Sequence, residues 1–121
     1  MATGNTLREP TRADIGALAG PTLLEFGTSW CGHCAAAQPR VAEALESHPG
    51  VRHIKVEDGK GYPLGRSYQV TLWPTLVFLR DGREIARLVR PGDVRDIEDA
   101  LDQVVAPAKA GAQPGFPPSR E

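Results

Sequence analysis

The two cysteines of this 121-residue chain, Cys31 and Cys34, lie in the segment Trp30-Cys31-Gly32-His33-Cys34. Two thiols separated by two residues can close into a small disulfide ring and reopen, and a thiolate can attack a disulfide in another molecule. A disulfide across so short a loop removes little conformational entropy from the unfolded chain, so it stabilises a fold poorly. The pattern therefore predicts a reversible dithiol–disulfide couple.

The composition argues against several other classes of protein. With 14 basic and 15 acidic residues the net charge is −1, which does not suggest a nucleic-acid or membrane-surface protein. No apolar run approaches the ~20 residues of a membrane span, and residues 1–11 lack the pattern of a signal peptide. We therefore expect a cytoplasmic protein, in which a CxxC pair is catalytic or binds metal rather than being structural.

The elements that must position the cysteines follow from periodicity and from turn residues. The first half of the chain is predicted to form a short helix opened by a capping box at Thr11, a strand over Thr22–Phe26, a helix over Cys31–Ser47 kinked at Pro39 and a strand over Val51–Glu57. The second half is predicted to form one or two helical turns over Leu64–Tyr68, two strands over Thr75–Leu79 and Glu84–Val89 joined by an Asp81-Gly82 turn, and a final helix capped by Asp93. The buried stripe of the final helix is predicted to be Val94, Ile97, Leu101, Val104 and Val105.

This order of elements predicts an α/β domain over residues 11–105, with a mixed sheet flanked by helices on both faces. Residues 1–10 are expected to be flexible. Residues 106–121, rich in Ala, Pro and Gly, are expected to form a disordered tail.

The chain resembles the thioredoxin family over roughly residues 11–105. The resemblance depends on Leu23-Leu24-Glu25-Phe26, Trp30-Cys31-Gly32-His33-Cys34, Pro39, Trp73-Pro74-Thr75-Leu76 and Asp81-Gly82. It implies the thioredoxin fold, with a four- or five-stranded mixed sheet, and thiol–disulfide oxidoreductase chemistry without a cofactor.

The two cysteines are expected to have different roles. Cys31 would lie at a helix N-terminus, where unpaired N–H groups and the helix dipole favour a thiolate, so we assign it as the nucleophile. Cys34, one turn further along, would be the resolving thiol that releases the reduced substrate. His33 could stabilise the Cys31 thiolate and make the pair more oxidising. Its Cys-Gly-His-Cys context resembles protein disulfide isomerases, whereas typical thioredoxins have Cys-Gly-Pro-Cys.

Glu25 is a carboxylate in an apolar strand, six residues before Cys31. Burial should raise its pKa. In the family, an acidic residue at this position accepts the proton of the resolving thiol, although it is more usually Asp. His53 is expected either where the family's lysine pairs with this acid or as an exposed strand residue.

Trp73-Pro74 resembles the family's cis-proline loop. It implies that Pro74 faces the cysteines and that the Trp73 backbone is free to pair with an extended substrate segment. Trp30 is expected to flank this docking surface as an apolar platform, or else to pack in the core. Gly32, within the motif, is assigned to the same surface.

The chain departs from the family pattern at two positions near this surface. Gly27 stands where thioredoxins commonly carry a second tryptophan. Arg90 falls where a glycine often lines the docking groove, so the groove gains a positive charge. Both changes concern the range of protein substrates rather than the redox chemistry.

The leading hypothesis is a monomeric, bacterial-type cytoplasmic reductase of disulfides in other proteins, recharged by a flavoprotein thioredoxin reductase. An oxidase or isomerase tuned by His33 is the alternative within redox chemistry. A metal site using Cys31, Cys34 and His33 is less favoured, because structural zinc needs four ligands and there is no second CxxC. A non-catalytic adaptor is disfavoured by the intact cysteines and Pro74.

Overall fold

The structure is a computed structural model that describes residues 9–106. Its elements are α1 (Arg12–Gly16), β1 (Pro21–Gly27), α2 (Gly32–Glu46), β2 (Arg52–Glu57), α3 (Pro63–Ser67), β3 (Thr75–Arg80), β4 (Arg83–Val89) and α4 (Val94–Val105). The element order agrees with the expectation. The predictions of a flexible N-terminus and a disordered tail concern residues that lie almost entirely outside the described part.

The four strands form one mixed sheet in the order β2-β1-β3-β4. β1 pairs in parallel with β2 and antiparallel with β3, and β3 pairs antiparallel with β4. β1 is thus a central strand, which explains why five consecutive residues of it, from Thr22 to Phe26, are buried. The thioredoxin fold predicted from the resemblance is confirmed, with four strands.

Local signals in the sequence account for where the helices begin. Thr11 and Asp14 form a reciprocal capping box at α1, and the Asp93 carboxylate accepts the N–H of Arg95 at the start of α4. Both caps were predicted. Val105 was expected in the buried stripe of α4 but is 44% exposed, and Ala100 is buried instead.

Alternate residues of the central strands feed two hydrophobic clusters on opposite faces of the sheet. One cluster joins the sheet to α2 and α4: Leu23, Val41, Ala44, Leu76, Phe78, Ile97, Ala100, Leu101 and Val104. The other joins it to the side of α1 and α3: Ile15, Leu24, Phe26, Val56, Leu64, Tyr68, Val77 and Leu79. The face of β1 that carries Leu23 also carries Glu25, so this carboxylate points to the side covered by α2.

Candidate active site

The cysteines lie where β1 turns into α2. β1 ends at Gly27, and after a short loop Cys31 forms the N-cap of α2 with an extended backbone. The backbone N–H of Cys34 donates to Cys31 Sγ over 3.2 Å. Both residues are free thiols and both are about nine-tenths buried. The helix start thus places one sulfur directly against the unpaired N–H groups of the first turn.

The two sulfurs are in opposed electrostatic environments. Burial raises the pKa of Cys31, but hydrogen bonds from the Cys34 thiol and from the backbone N–H groups of Cys34 and His33, with the charge of Arg90, lower it overall. Burial, and next the hydrogen bond with Cys31, raises the pKa of Cys34 to about 11. The site therefore favours a thiolate at Cys31 and a protonated thiol at Cys34.

His33 contributes to this asymmetry through its backbone N–H. Its side chain is exposed on the first turn of α2. From the sequence, the positive charge of Arg90 was expected in the docking groove without an effect on the redox chemistry, whereas in the structure it helps lower the pKa of Cys31. A role for the His33 imidazole stays a prediction.

Gly27 makes room for the sulfur of Cys34. A Cβ at position 27 would lie 2.5 Å from Cys34 Sγ, closer than real Cβ atoms approach other heavy atoms. The backbone N–H of Thr28 bonds to the Cys34 sulfur, and the buried Thr28 hydroxyl has no hydrogen-bond partner among residues 9–106. From the sequence, glycine at position 27 was interpreted as a change in the docking surface. The glycine also has a packing role, because it leaves space for the sulfur of Cys34.

Glu25 is 4% exposed, and both of its oxygens are hydrogen-bonded. Oε1 lies 2.7 Å from His53 Nε2, and Oε2 accepts from the Gln38 amide. Burial raises the pKa of Glu25, but the hydrogen bonds from His53 and Gln38 outweigh it, so the pKa is lowered overall. The expectation of a raised pKa was wrong, because it took account of burial but not of these partners.

Gln38 and Lys55 are residues of this network that sequence reasoning missed. Lys55 Nζ donates to Gln38 Oε1 over 3.0 Å, and Gln38 Nε2 lies 3.4 Å from the carbonyl oxygen of Cys34. Gln38 thus connects Glu25 to the turn that carries Cys34. The four-residue spacing of Cys34 and Gln38, which places both on one helix face, could have indicated this contact from the sequence.

The Trp73–Pro74 peptide bond is cis, as the sequence pattern predicts. The rings of Trp30 and Trp73 contact each other edge to face, with centroids 5.5 Å apart, and Trp30 is 74% exposed. This contact brings the cis-proline loop beside the loop that precedes Cys31. The exposure of Trp30 fits a surface platform rather than core packing. Gly32 adds no side chain here, and a Cβ on it would meet nothing within 4 Å.

The backbone of Trp73 is not wholly free, contrary to expectation. Its carbonyl oxygen accepts a hydrogen bond from Arg90 Nε over 2.8 Å. Its indole Nε1–H donates to Asp58 Oδ2 over 2.8 Å. The Asp58 carboxylate in turn packs against Gly65, where a Cβ would lie 2.0 Å from Asp58 Oδ1. The tryptophan is therefore held at both its side chain and its carbonyl.

Among residues 9–106, no group of three or more His, Cys, Asp or Glu side chains could hold a metal ion. Within the same residues, no helix is long and apolar enough to cross a membrane.

Together, the fold and the paired thiols define a thiol–disulfide oxidoreductase. The Thioredoxin family model matches residues 10–103, and the chain belongs to the thioredoxin family. Its chemistry is thiol–disulfide exchange at the Cys31–Cys34 pair.

Individual relatives agree with this assignment. Thioredoxin 2 from Pseudomonas aeruginosa PAO1, solved in its reduced form, is 61% identical with a TM-score of 0.72, and the match covers 79% of this chain and 89% of that one. Thioredoxin Asp f 28 from Aspergillus fumigatus is 32% identical over 87 residues, which are 72% of this chain and 81% of the relative. A protein disulfide-isomerase from Hordeum vulgare is 36% identical over 93 residues, but this chain spans only 18% of its length.

Proposed function

We propose that this chain reduces disulfides in other cytoplasmic proteins, with Cys31 as nucleophile and Cys34 as resolving thiol. The observation that carries the assignment is the placement of the two sulfurs: Cys31 caps α2 and its sulfur accepts the Cys34 N–H over 3.2 Å, whereas the Cys34 sulfur lies buried beside Gly27. This placement lowers the pKa of Cys31 and raises that of Cys34. Because only a thiolate attacks a disulfide, this difference selects which cysteine reacts first.

The reaction takes place in two exchanges. The Cys31 thiolate attacks one sulfur of the substrate disulfide, which forms a mixed disulfide and releases the other substrate sulfur as a thiolate that takes up a proton. Cys34 then loses its proton and attacks Cys31 Sγ, which leaves a Cys31–Cys34 disulfide and releases the second substrate thiol. The substrate gains two electrons and two protons. The protein supplies both electrons but, because Cys31 starts as a thiolate, only the proton of Cys34, and the other proton comes from solvent.

Glu25 is proposed to accept the proton of Cys34 in the second exchange. The carboxylate is ionised and so has a site for a proton, although its lowered pKa makes it a weaker base than a free carboxylate, and its negative charge contributes to the raised pKa of Cys34. Gln38 connects Glu25 to the backbone carbonyl of Cys34, and His53, whose side chain is 26% exposed, offers a route from Glu25 toward solvent. The role is that of a general base, supported by the burial of Glu25 and by the action of its charge on Cys34.

The surface around Cys31 is proposed to dock the substrate. Trp30 offers an exposed aromatic face, Trp73 and Pro74 form the neighbouring loop, and Gly32 leaves open space beside Cys31. A flavoprotein thioredoxin reductase is proposed to return electrons to the Cys31–Cys34 disulfide of a monomeric protein. Family membership supports this partner.

An oxidase or isomerase is the second candidate, favoured by His33 between the cysteines. The reduction potential, measured in glutathione or dithiothreitol buffers, separates the two. A value near the −270 mV typical of thioredoxin would support a reductase, and one near the −180 mV of protein disulfide isomerase would support shuffling of disulfides.

Variants of the two cysteines test the proposed function directly. We expect Cys34→Ser to accumulate a mixed disulfide with a disulfide-containing substrate protein, because the first exchange proceeds and the second cannot. Cys31→Ser should form none, and Ala36→Ser, an exposed substitution on the same helix, should turn over normally. Mass spectrometry of the trapped species reads the result, and trapping by Cys31→Ser with none by Cys34→Ser would contradict the assignment.

A further inference from the structure

Arg90 occupies an unusual position beside the active site. It follows β4 and has a φ of 51°, in the left-handed region that non-glycine residues rarely adopt. Its backbone N–H donates to the Pro74 carbonyl over 2.9 Å, and its side-chain Nε donates to the Trp73 carbonyl over 2.8 Å. The arginine is thereby held on both residues of the cis-proline loop.

Part of the Arg90 guanidinium is left free by this arrangement. Nε is bonded to Trp73, while the two terminal nitrogens have no hydrogen-bond partner among residues 9–106. The side chain is exposed, and its charge acts on Cys31 closely enough to help lower the pKa of that thiol. Free N–H donors with a positive charge therefore lie on the cis-proline loop, where the Trp73 ring contacts Trp30, the residue before Cys31.

The same contact changes what the docking surface can offer. A backbone carbonyl accepts a hydrogen bond from any extended chain, whatever its sequence, and Arg90 takes one of the two acceptor positions of the Trp73 carbonyl. Beside this carbonyl lies a planar cation that matches a carboxylate in geometry and charge. Recognition at this edge therefore gains a charged contact that depends on the substrate sequence.

We propose that Arg90 is a specificity-determining residue that binds an acidic side chain of the substrate next to the disulfide under attack. The terminal guanidinium nitrogens donate to that carboxylate, while Nε remains on Trp73. Acidic segments are thus favoured over basic ones. This proposal depends on the proposed function, because it concerns substrates of the same thiol pair.

The test uses two disulfide peptides that differ only in having Glu or Lys next to one cysteine. Reduced protein is mixed with each peptide, and the second-order rate constant is measured in a single turnover by stopped-flow. Because Arg90 is exposed, we expect the wild type to react about fivefold faster with the Glu peptide, a ratio that falls with added salt. The ratio of the two rates cancels any change in the reactivity of Cys31 itself.

Arg90→Gly should bring the ratio close to one, and Arg90→Lys, which keeps the charge without the planar fork, should give an intermediate ratio. Arg83→Ala removes the same charge at the start of β4, the other end of that strand, and should keep the wild-type ratio. An unchanged ratio in Arg90→Gly, or an equal loss of rate with both peptides, would overturn the proposal. If the wild type reduces neither peptide nor the uncharged hydroxyethyl disulfide, the proposed function itself fails.

Discussion

At the residue scale, the site differentiates two chemically identical thiols only three residues apart. Cys31 caps the helix and receives the N–H of Cys34, whereas Cys34 lies against Gly27 and Thr28 at the end of β1. The reactive sulfur is thus surrounded by donors, and the resolving sulfur is held in a space that exists because residue 27 has no side chain.

Gly27→Ala is therefore expected to impair the second exchange. The added Cβ would lie 2.5 Å from Cys34 Sγ and would displace that sulfur. We expect decay of the mixed disulfide to slow by about tenfold or more, since displacements of about 1 Å can cost up to a hundredfold in rate. Gly50→Ala, where a Cβ meets nothing within 4 Å, is the control. Equal decay rates in the two variants, measured by quenched-flow and mass spectrometry, would contradict the packing argument.

At the element scale, parallel pairing of β1 with β2 assembles the buried charge network. The register pairs Leu23 with His53 and Glu25 with Lys55, so an imidazole and an ammonium group of an edge strand run alongside the buried carboxylate. α2 contributes Gln38 from the other side. No single element contains the whole network, which is why the sign of the Glu25 pKa shift depended on how the elements pack.

A second contact between elements ties the C-terminal end of α2 to α4. Imidazole Nδ1 of His48 lies 2.9 Å from the Ala44 carbonyl oxygen, and its Nε2 lies 2.7 Å from Asp102 Oδ1. The hydrogen bond with Asp102 is the main cause of the raised pKa of His48; burial opposes it. A protonated imidazole at a helix C-terminus is also favoured by the helix dipole.

This pair predicts a pH dependence of stability. Because the pKa of His48 is higher in the folded state, its contribution is fully present below the unfolded-state pKa and is lost as pH rises through the folded-state pKa. Since the Asp102 side chain is 68% exposed, we expect only about 0.5 kcal/mol. Asp102→Asn should lower the free energy of unfolding by this amount at about pH 5 but not at about pH 9.

Urea unfolding at the two pH values measures the difference. Asp99→Asn, an exposed change on the same helix, is the control for altered net charge. The pairing argument fails if both variants lose the same stability at both pH values.

At the scale of the whole molecule, the β3–β4 turn joins the hairpin to the N-terminal segment. Asp81 and Gly82 have φ values of 53° and 80°. The backbone N–H of Asp81 donates to the Gly20 carbonyl, and Asp81 Oδ1 accepts the N–H of Gly20. Since Pro21 pairs with Arg80, this junction lies at the start of β1, whereas the cysteines follow its end. The contacts that hold the hairpin to the N-terminal segment thus lie at one end of the sheet, and the reactive cysteines lie at the other.

Gly82→Ala should consequently reduce stability without changing the chemistry. A Cβ at this position would lie 2.3 Å from the Gly16 carbonyl oxygen, and the positive φ adds backbone strain. We expect a loss of about 2 kcal/mol in the free energy of unfolding, with the rate of disulfide reduction by the folded protein unchanged. Gly92→Ala, with open space and no positive φ, serves as the control in the same denaturation experiment. A loss of less than about 0.5 kcal/mol would contradict the close approach to Gly16.

The sequence by itself determined the features that depend on neighbours within a few residues. Two thiols one helical turn apart, the caps at Thr11 and Asp93 and the Asp81-Gly82 turn all follow from local spacing, and all agree with the structure. Their energetics involve groups close together in the chain, so the pattern of residue types is sufficient.

Only the tertiary structure decided the electrostatics and the shape of the site. The pKa of Glu25 is lowered by His53, 28 residues away, and the Trp73 carbonyl is occupied by Arg90, 17 residues away. The space beside Gly27 is filled by a sulfur from the following helix. Coulombic and hydrogen-bond energies depend on distance in space, and a sequence does not specify that distance until its elements have packed.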